Sequence, residues 1–170
     1  VWAVPFADLD GVVAGDHGGG AVRVGLDGAW SLPPLRHEAQ VLQQDLRRWA
    51  GRCRPDLVLD LRAAGACDSD GVFAQLDDAG AAESNRAIQA WANVLQQALM
   101  PEFGATPFSR KAADAARRTT PQLGAFVREQ LGCSALALHT PYALCGETLL
   151  MPKQYREVGQ RIARAVLTRR

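Results

Sequence analysis

The chain has almost no lysine, few aromatic residues and no excess of either charge. Lys111 and Lys153 are the lysines among 19 basic residues, set against 18 acidic ones, for a net charge of +1. That balance creates no field to draw in nucleic acid or a charged membrane surface, so neither is expected as a partner. The arginines are scattered and form no basic run; Arg169 and Arg170 close a predicted helix, where cations suit the dipole. No stretch approaches the roughly 18 apolar residues of a membrane span. No signal-peptide pattern is present. Cysteine is sparse as well. Cys53, Cys67, Cys133 and Cys145 lack CxxC spacing, which argues against a zinc knuckle or a thioredoxin-type motif. Free thiols in a soluble, cytoplasmic protein are the expectation, although the even count is compatible with a disulfide. His17, His37 and His139 lie far apart without metal-ligand spacing, and no His-x-x-Glu occurs.

What is present is ordinary globular composition. With 170 residues, 48% hydrophobic and 22% charged, one domain over residues 1–170 with a real core is expected. Val1 to Phe6 is short, apolar and bounded by Asp8, Asp10 and Gly11, which predicts a buried strand entering a loop. The chain thus opens inside a strand pattern, as an excised domain would. Gly15 to Gly20 reads as a loop. Leu35, Ala39, Leu42, Leu46 and Trp49 recur at helical spacing and predict a helix ending near Gly51. Asp56 to Leu61 carries a continuous Leu-Val-Leu core, the mark of a strand buried on both faces of a parallel or mixed sheet. Gly71 to Leu76 predicts a short strand. Ala82 to Met100 predicts a helix with Ile88, Trp91, Leu95 and Leu99 on one stripe, closed by Pro101.

Phe103 to Arg118 mixes small and charged residues and reads as a loop with one helical turn. Thr120-Pro121 predicts a helix start, Thr120 as N-cap and Pro121 at the first helical position. Leu123, Phe126, Val127 and Leu131 supply its apolar face, and Gly132 suits a left-handed C-terminal position. Ser134 to Leu138 is the last strand. A helix from Pro152 packs through Tyr155, Val158, Ile162 and Val166. Alternating strands and helices predict an α/β layered domain.

Function in open α/β sheets gathers at the carboxyl ends of strands. Asp8, Arg62 and His139 each fall at or just past such an end. Other motifs carry less. Gly15 to Gly20 lacks the Gly-Lys-Ser/Thr ending of a phosphate loop, and Ser109 and Ser134 have no nucleophile-elbow context.

Three stretches, VWAVPFADLDGVVAGDHGG (Val1 to Gly19), PDLVLDLRAAG (Pro55 to Gly65) and SALALHTPY (Ser134 to Tyr142), occur in an order and spacing that resemble the later part of the zinc carboxypeptidases of the carboxypeptidase A/B type. The closing run HTPYALCGETLLMPKQYREVGQRIARAVL carries the resemblance best, and Asp10-Gly11 and Trp30 agree with it. The resemblance implies a mixed, largely parallel β-sheet flanked by helices, with the N-terminal part of the family fold missing. It also implies where the chemistry should sit, and those positions are altered. The family's third zinc ligand, a His, is replaced by Arg62, a permanent cation that cannot coordinate metal. The Glu that serves as general base is replaced by His139. The Asn and Arg that clamp the substrate carboxylate fall at Asp27 and Gly28, which removes a bidentate contact. Gly18 stands at the position of an oxyanion-stabilising Arg, with Arg23 in the same region as the candidate substitute.

His139, with an unperturbed pKa near ~6.5, is the candidate catalytic residue at the general-base position. Its plainer reading is a strand-end histidine hydrogen-bonded to a loop. Asp27, Gly28 and Arg23 mark the substrate-binding region. Arg62 needs an anionic partner, for which Asp60, Asp27 and Asp8 are candidates. The resemblance therefore implies a carboxypeptidase-like domain without its zinc site: a pseudoenzyme with a cleft for a peptide or protein partner and no cofactor. The alternative is an active zinc metallocarboxypeptidase or amidohydrolase whose ligands come from an upstream segment or a relocated metal site.

Overall fold

A computed structural model describes residues 1–15, 25–64, 68–76, 82–111 and 121–169. The chain divides into two compact units, Val1–Asp56 with Asp114–Cys133, and Leu57–Ala113 with Ser134–Arg170.

The first unit is helical. Val1 to Asp8 is irregular and almost wholly exposed, and is followed by a short helix α1 (Leu9–Ala14). The strand expected over Val1 to Phe6 is therefore not formed. Its alternation of apolar and small residues satisfies a strand pattern locally, but a strand also needs a neighbour to bond. Asp8 caps α1 instead, its side chain accepting from the Gly11 amide at 2.9 Å. A single 3-10 turn occupies Leu26–Gly28. Helix α2 (His37–Arg52) follows the predicted apolar stripe and buries Ala39 and Gln43, with Gln43 Nε2 donating to the Ser31 carbonyl at 3.1 Å. Helix α4 (Leu123–Phe126) runs on as a π-helical turn over Val127–Leu131 and ends at Gly132 with φ +62, the left-handed position expected of it. Its start lies later than predicted: Gln122 is the N-cap and Pro121 precedes the helix. Thr120 lies outside the described residues. Phe126 is buried against Trp30, ring centroids 5.7 Å apart, and the Arg47 guanidinium lies 5.1 Å from the same ring. Trp2 stacks on Trp49 at 5.6 Å.

The second unit is a four-stranded sheet in the order β1-β4-β2-β3, formed by β1 (Leu57–Ala63), β2 (Val72–Leu76), β3 (Gly104–Lys111) and β4 (Ser134–Thr140). β1 runs parallel to β4 and β2 parallel to β3, while β2 and β4 are antiparallel. This is the mixed, largely parallel sheet flanked by helices that the sequence predicts. Helices α3 (Ala82–Leu99) and α5 (Pro152–Thr168) cover one face. Ile88, Trp91, Leu95 and Leu99 of α3 meet Val158, Ile162 and Ala165 of α5 over Val72, Ala74, Phe108, Leu136 and Leu138. Burial of this apolar surface, at ~25 cal/mol per Å², is the main force holding the unit.

Tyr155 departs from its expected place in that core. It is exposed, its hydroxyl donating to the Pro141 carbonyl and accepting from the Ala143 amide, both at 3.0 Å. It thereby fixes the turn after β4. Strand β3 replaces the loop expected after Phe103. Its pairing with β2 jumps from Val72↔Gly104 to Ala74↔Ser109, so a bulge carrying Pro107 interrupts the ladder. A small hairpin of β5 (Leu144–Cys145) and β6 (Thr148–Leu149) precedes α5. Cys53, Cys133 and Cys145 carry free thiols, and Cys67 lies outside the described residues.

Candidate functional site

Two successive residues of a strand point to opposite faces. In β1, Leu57 and Leu59 pack toward the α3/α5 core, so Asp60 and Arg62 project from the other face. In β4, Leu136 and Leu138 are core, so His139 projects with Arg62. The register makes the two direct neighbours, Arg62↔His139, on adjacent parallel strands near their carboxyl ends. The positions that the family resemblance assigns to a zinc ligand and a general base thus lie side by side.

Their chemistry here differs from that assignment. Arg62 is held by Asp60, with Nε to Oδ2 at 2.7 Å and Nη2 to Oδ2 at 2.6 Å. Both side chains are largely but not fully buried, 18% and 25% exposed. Asp60 is the carboxylate that the two-residue strand period singles out. His139 lies flat on Phe73, which pairs with it in register from β2; the rings are 4.8 Å apart and 2° from parallel. On the same strand system, the Arg110 guanidinium sits 4.1 Å from the Phe73 centroid and is ion-paired with Asp70.

Burial pushes the His139 pKa below its ordinary value, and the Arg62 cation pushes it the same way, against a backbone hydrogen bond with Ala63. Its Nε2 is buried without a hydrogen-bond partner among the described residues. His139 is therefore a neutral, ring-stacked imidazole. The plainer sequence reading gives it a hydrogen bond to a loop; its backbone partner is Ala63, the last residue of strand β1.

The remaining sequence candidates have other surroundings. Asp8 forms an ion pair with Arg36 at 2.9 Å, and Arg36 also holds Glu38 at 2.7 Å. The Gly11 amide, and then Arg36, hold the Asp8 carboxyl below its usual range, while Arg36 does the same for Glu38. Asp8 is thus a helix cap within a three-charge cluster and not a residue at a strand end. Asp27 and Gly28 lie on the 3-10 turn Leu26–Gly28. Arg23, together with Asp16, His17 and Gly18, lies outside the described residues. Phe73 and Arg110 escape sequence reasoning: Phe73 lies in a predicted short strand with no site role, and Arg110 lies on β3, which reads as a loop.

The fold has a counterpart among solved structures. The fold is similar to that of a metallo-carboxypeptidase from Burkholderia cenocepacia, with a TM-score of 0.69 and 18% sequence identity over 96% of this chain and 43% of that one. The chain has a metallo-carboxypeptidase-like fold. It spans less than half the length of that protein. The apo form of the N-acetylmuramyl-L-alanine amidase Ami1 from Mycobacterium abscessus also matches, with a TM-score of 0.48 and 9% identity over 72% of this chain and 59% of that one. Neither a protein-family model nor a curated protein matches the sequence.

A metallo-carboxypeptidase-like fold raises the question of zinc, which needs imidazole, thiolate or carboxylate donors in a group. Among the described residues no three His, Cys, Asp or Glu side chains are placed to hold a metal. At the strand-end position a guanidinium offers no lone pair, and Asp60 beside it is engaged by that guanidinium. The described residues of this site do not fit a zinc ion.

Proposed function

We propose that this chain is a carboxypeptidase-like domain whose zinc site has been lost, and that it works by binding a peptide or protein partner and not by hydrolysis. The observation that carries this reading is the pair Arg62 and His139, register neighbours at the carboxyl ends of β1 and β4. A fixed cation ion-paired to Asp60 stands where the family has a metal ligand. A neutral imidazole stacked on Phe73 stands where it has a carboxylate base. Hydrolysis by the family route needs a metal to lower the pKa of water and a base to take its proton. This pair supplies neither. What it retains is a partly exposed guanidinium, ion-paired with Asp60, beside a ring-stacked imidazole, groups that a carboxylate of a polypeptide would have to engage in competition with Asp60.

Elemental analysis of the purified chain, with an assay for release of C-terminal residues from peptides with and without chelator, tests the loss of catalysis. Sub-stoichiometric zinc and no chelator-sensitive release are expected. Stoichiometric zinc with chelator-sensitive turnover would favour the rival reading, an active metallohydrolase with a relocated metal site or ligands from another segment. Binding is tested by following the His139 imidazole resonances while short peptides with free carboxyl termini are titrated in. Perturbation that disappears in Arg62→Ala is expected; resonances unmoved by every peptide would remove the peptide-binding part of the proposal.

A further inference from the structure

The turn that follows β4 is both strained and strapped. The Leu144 amide donates to the Tyr142 carbonyl at 2.5 Å, which closes a three-residue turn around Ala143. Ala143 has φ +54 and is, among the described residues, the one non-glycine residue with positive φ. A three-residue turn of this hand is rare and strained. Such a conformation persists only where its surroundings over-determine it, and here they do. The Tyr155 hydroxyl, from α5, holds the Pro141 carbonyl on one side of the turn and the Ala143 amide on the other. The Leu150 amide donates to the Ala143 carbonyl at 2.6 Å, so both polar groups of the Ala143 backbone are engaged. The hairpin beyond is anchored as well: the Gly146 amide donates to the Ser69 carbonyl at 2.5 Å, and the buried Cys145 thiol lies 3.3 Å from the Phe103 carbonyl.

A connection that only had to lead from β4 to α5 would need none of this, since glycine at position 143 would follow the same path without strain. What the strapping fixes in place is Tyr142. It lies three residues beyond His139, hence within about 11 Å of it by chain length, at the carboxyl end of β4, where Arg62 also lies on β1. We propose that Tyr142 is a ligand-contact residue of the peptide site, an aromatic wall for a side chain next to the bound carboxylate, and that Tyr155 is the positioning residue that keeps it rigid. The inference rests on the peptide-binding reading above and adds a preorganised turn to it. A turn already held in its bound shape has no ordering cost left to meet when the ligand arrives, which gives the stored strain a use.

Titration of the full chain with the tripeptide acetyl-Ala-Ala-Leu, followed through the His139 imidazole resonances and run beside urea unfolding, tests this. A saturable shift is expected for the unaltered chain. Tyr142→Ala should weaken binding by about fivefold or more while leaving the unfolding midpoint unchanged, because the side chain is 56% exposed. Ala143→Gly should separate the two readouts. Relief of the positive φ holds or raises the unfolding midpoint, whereas the freed turn must be ordered on binding, so affinity should fall by about threefold or more. Tyr155→Phe keeps the ring but loses both hydrogen bonds, and should weaken binding to a similar degree. A merely structural strap would move stability and leave affinity alone. Peptide binding that is indifferent to Tyr142→Ala, or that follows stability upward in Ala143→Gly, would overturn this inference and leave the peptide-binding reading standing. No shift in the unaltered chain would remove both.

Discussion

Arg62 and His139 are register partners on adjacent parallel strands, and each is held by a different neighbour on the same face of the sheet. Asp60 holds Arg62 through two short contacts, and Phe73 holds His139 by flat stacking. The arrangement keeps a cation and an imidazole together without forcing the imidazole to charge. Repulsion by Arg62 and burial both favour the neutral ring.

The Asp60–Arg62 pair has a modest energetic role. Its side chains keep 18–25% exposure, so solvent screening limits the coupling to about 1 kcal/mol or less, well short of the loss expected for a fully buried ion pair. Arg62→Ala should therefore lower unfolding free energy by about 1 kcal/mol, part of which comes from lost packing of the arginine stem. A double-mutant cycle with Asp60→Asn, read by urea unfolding of dilute protein, checks the coupling. A loss of several kcal/mol would show the pair to be sealed from solvent.

His139 should make stability depend on pH in a definite direction. Its folded pKa is lowered, so the unfolded chain, with an ordinary value near ~6.5, binds the proton more tightly. Stability from this group is fully present above about 6.5 and is lost as pH falls through the folded pKa. His139→Phe keeps a ring against Phe73 but cannot titrate. Unfolding curves at mildly acidic and neutral pH should show a smaller pH dependence in the variant than in the unaltered chain. An equal or steeper dependence would contradict the neutral, buried imidazole.

Most of this layout is legible in the sequence because its signals are local. The stripes Leu42–Leu46–Trp49 and Ile88–Trp91–Leu95–Leu99 give α2 and α3, and the continuous apolar runs give β1 and β4. The strand period then puts Asp60 beside Arg62. Two errors share one cause: pattern reports propensity, whereas pairing decides strands. Val1 to Phe6 has the pattern and forms no strand, while Gly104–Lys111, broken by Pro107 and a bulge, lacks the pattern and forms one. The stacking of Phe73 on His139 depends on the antiparallel β2/β4 register, which no local signal encodes. Arg110 was hidden with its strand.

Gly71 tests the close approach of β2 to β3. Its φ is +135, a conformation that side chains other than glycine's rarely adopt. A Cβ there would stand 2.6 Å from the Ala105 amide nitrogen and 2.8 Å from the Gly104 carbonyl carbon, backbone atoms that cannot swing aside. Gly71→Ala should destabilise the chain by about 2 kcal/mol or more. A change within about 0.5 kcal/mol, typical of tolerant surface sites, would mean that the β2–β3 junction is looser than described.

Installing at the two strand ends the residues that the carboxypeptidase resemblance assigns there should not create a hydrolase. Arg62→His with His139→Glu places one imidazole and one carboxylate on neighbouring strands, the geometry the register provides. A hydrolytic zinc site needs three protein ligands with an open position for water, and the Glu serves as base without counting among them. Arg62→His would supply one donor, and among the described residues no ready group of others stands by to complete the set. Removing Arg62 also strips Asp60 of its partner, so the double variant should be less stable than the unaltered chain while remaining inactive. Zinc titration and a peptide-release assay on the double variant check this together. Weak zinc binding without turnover is the expected result, and robust chelator-sensitive turnover would show that the missing ligands are present after all.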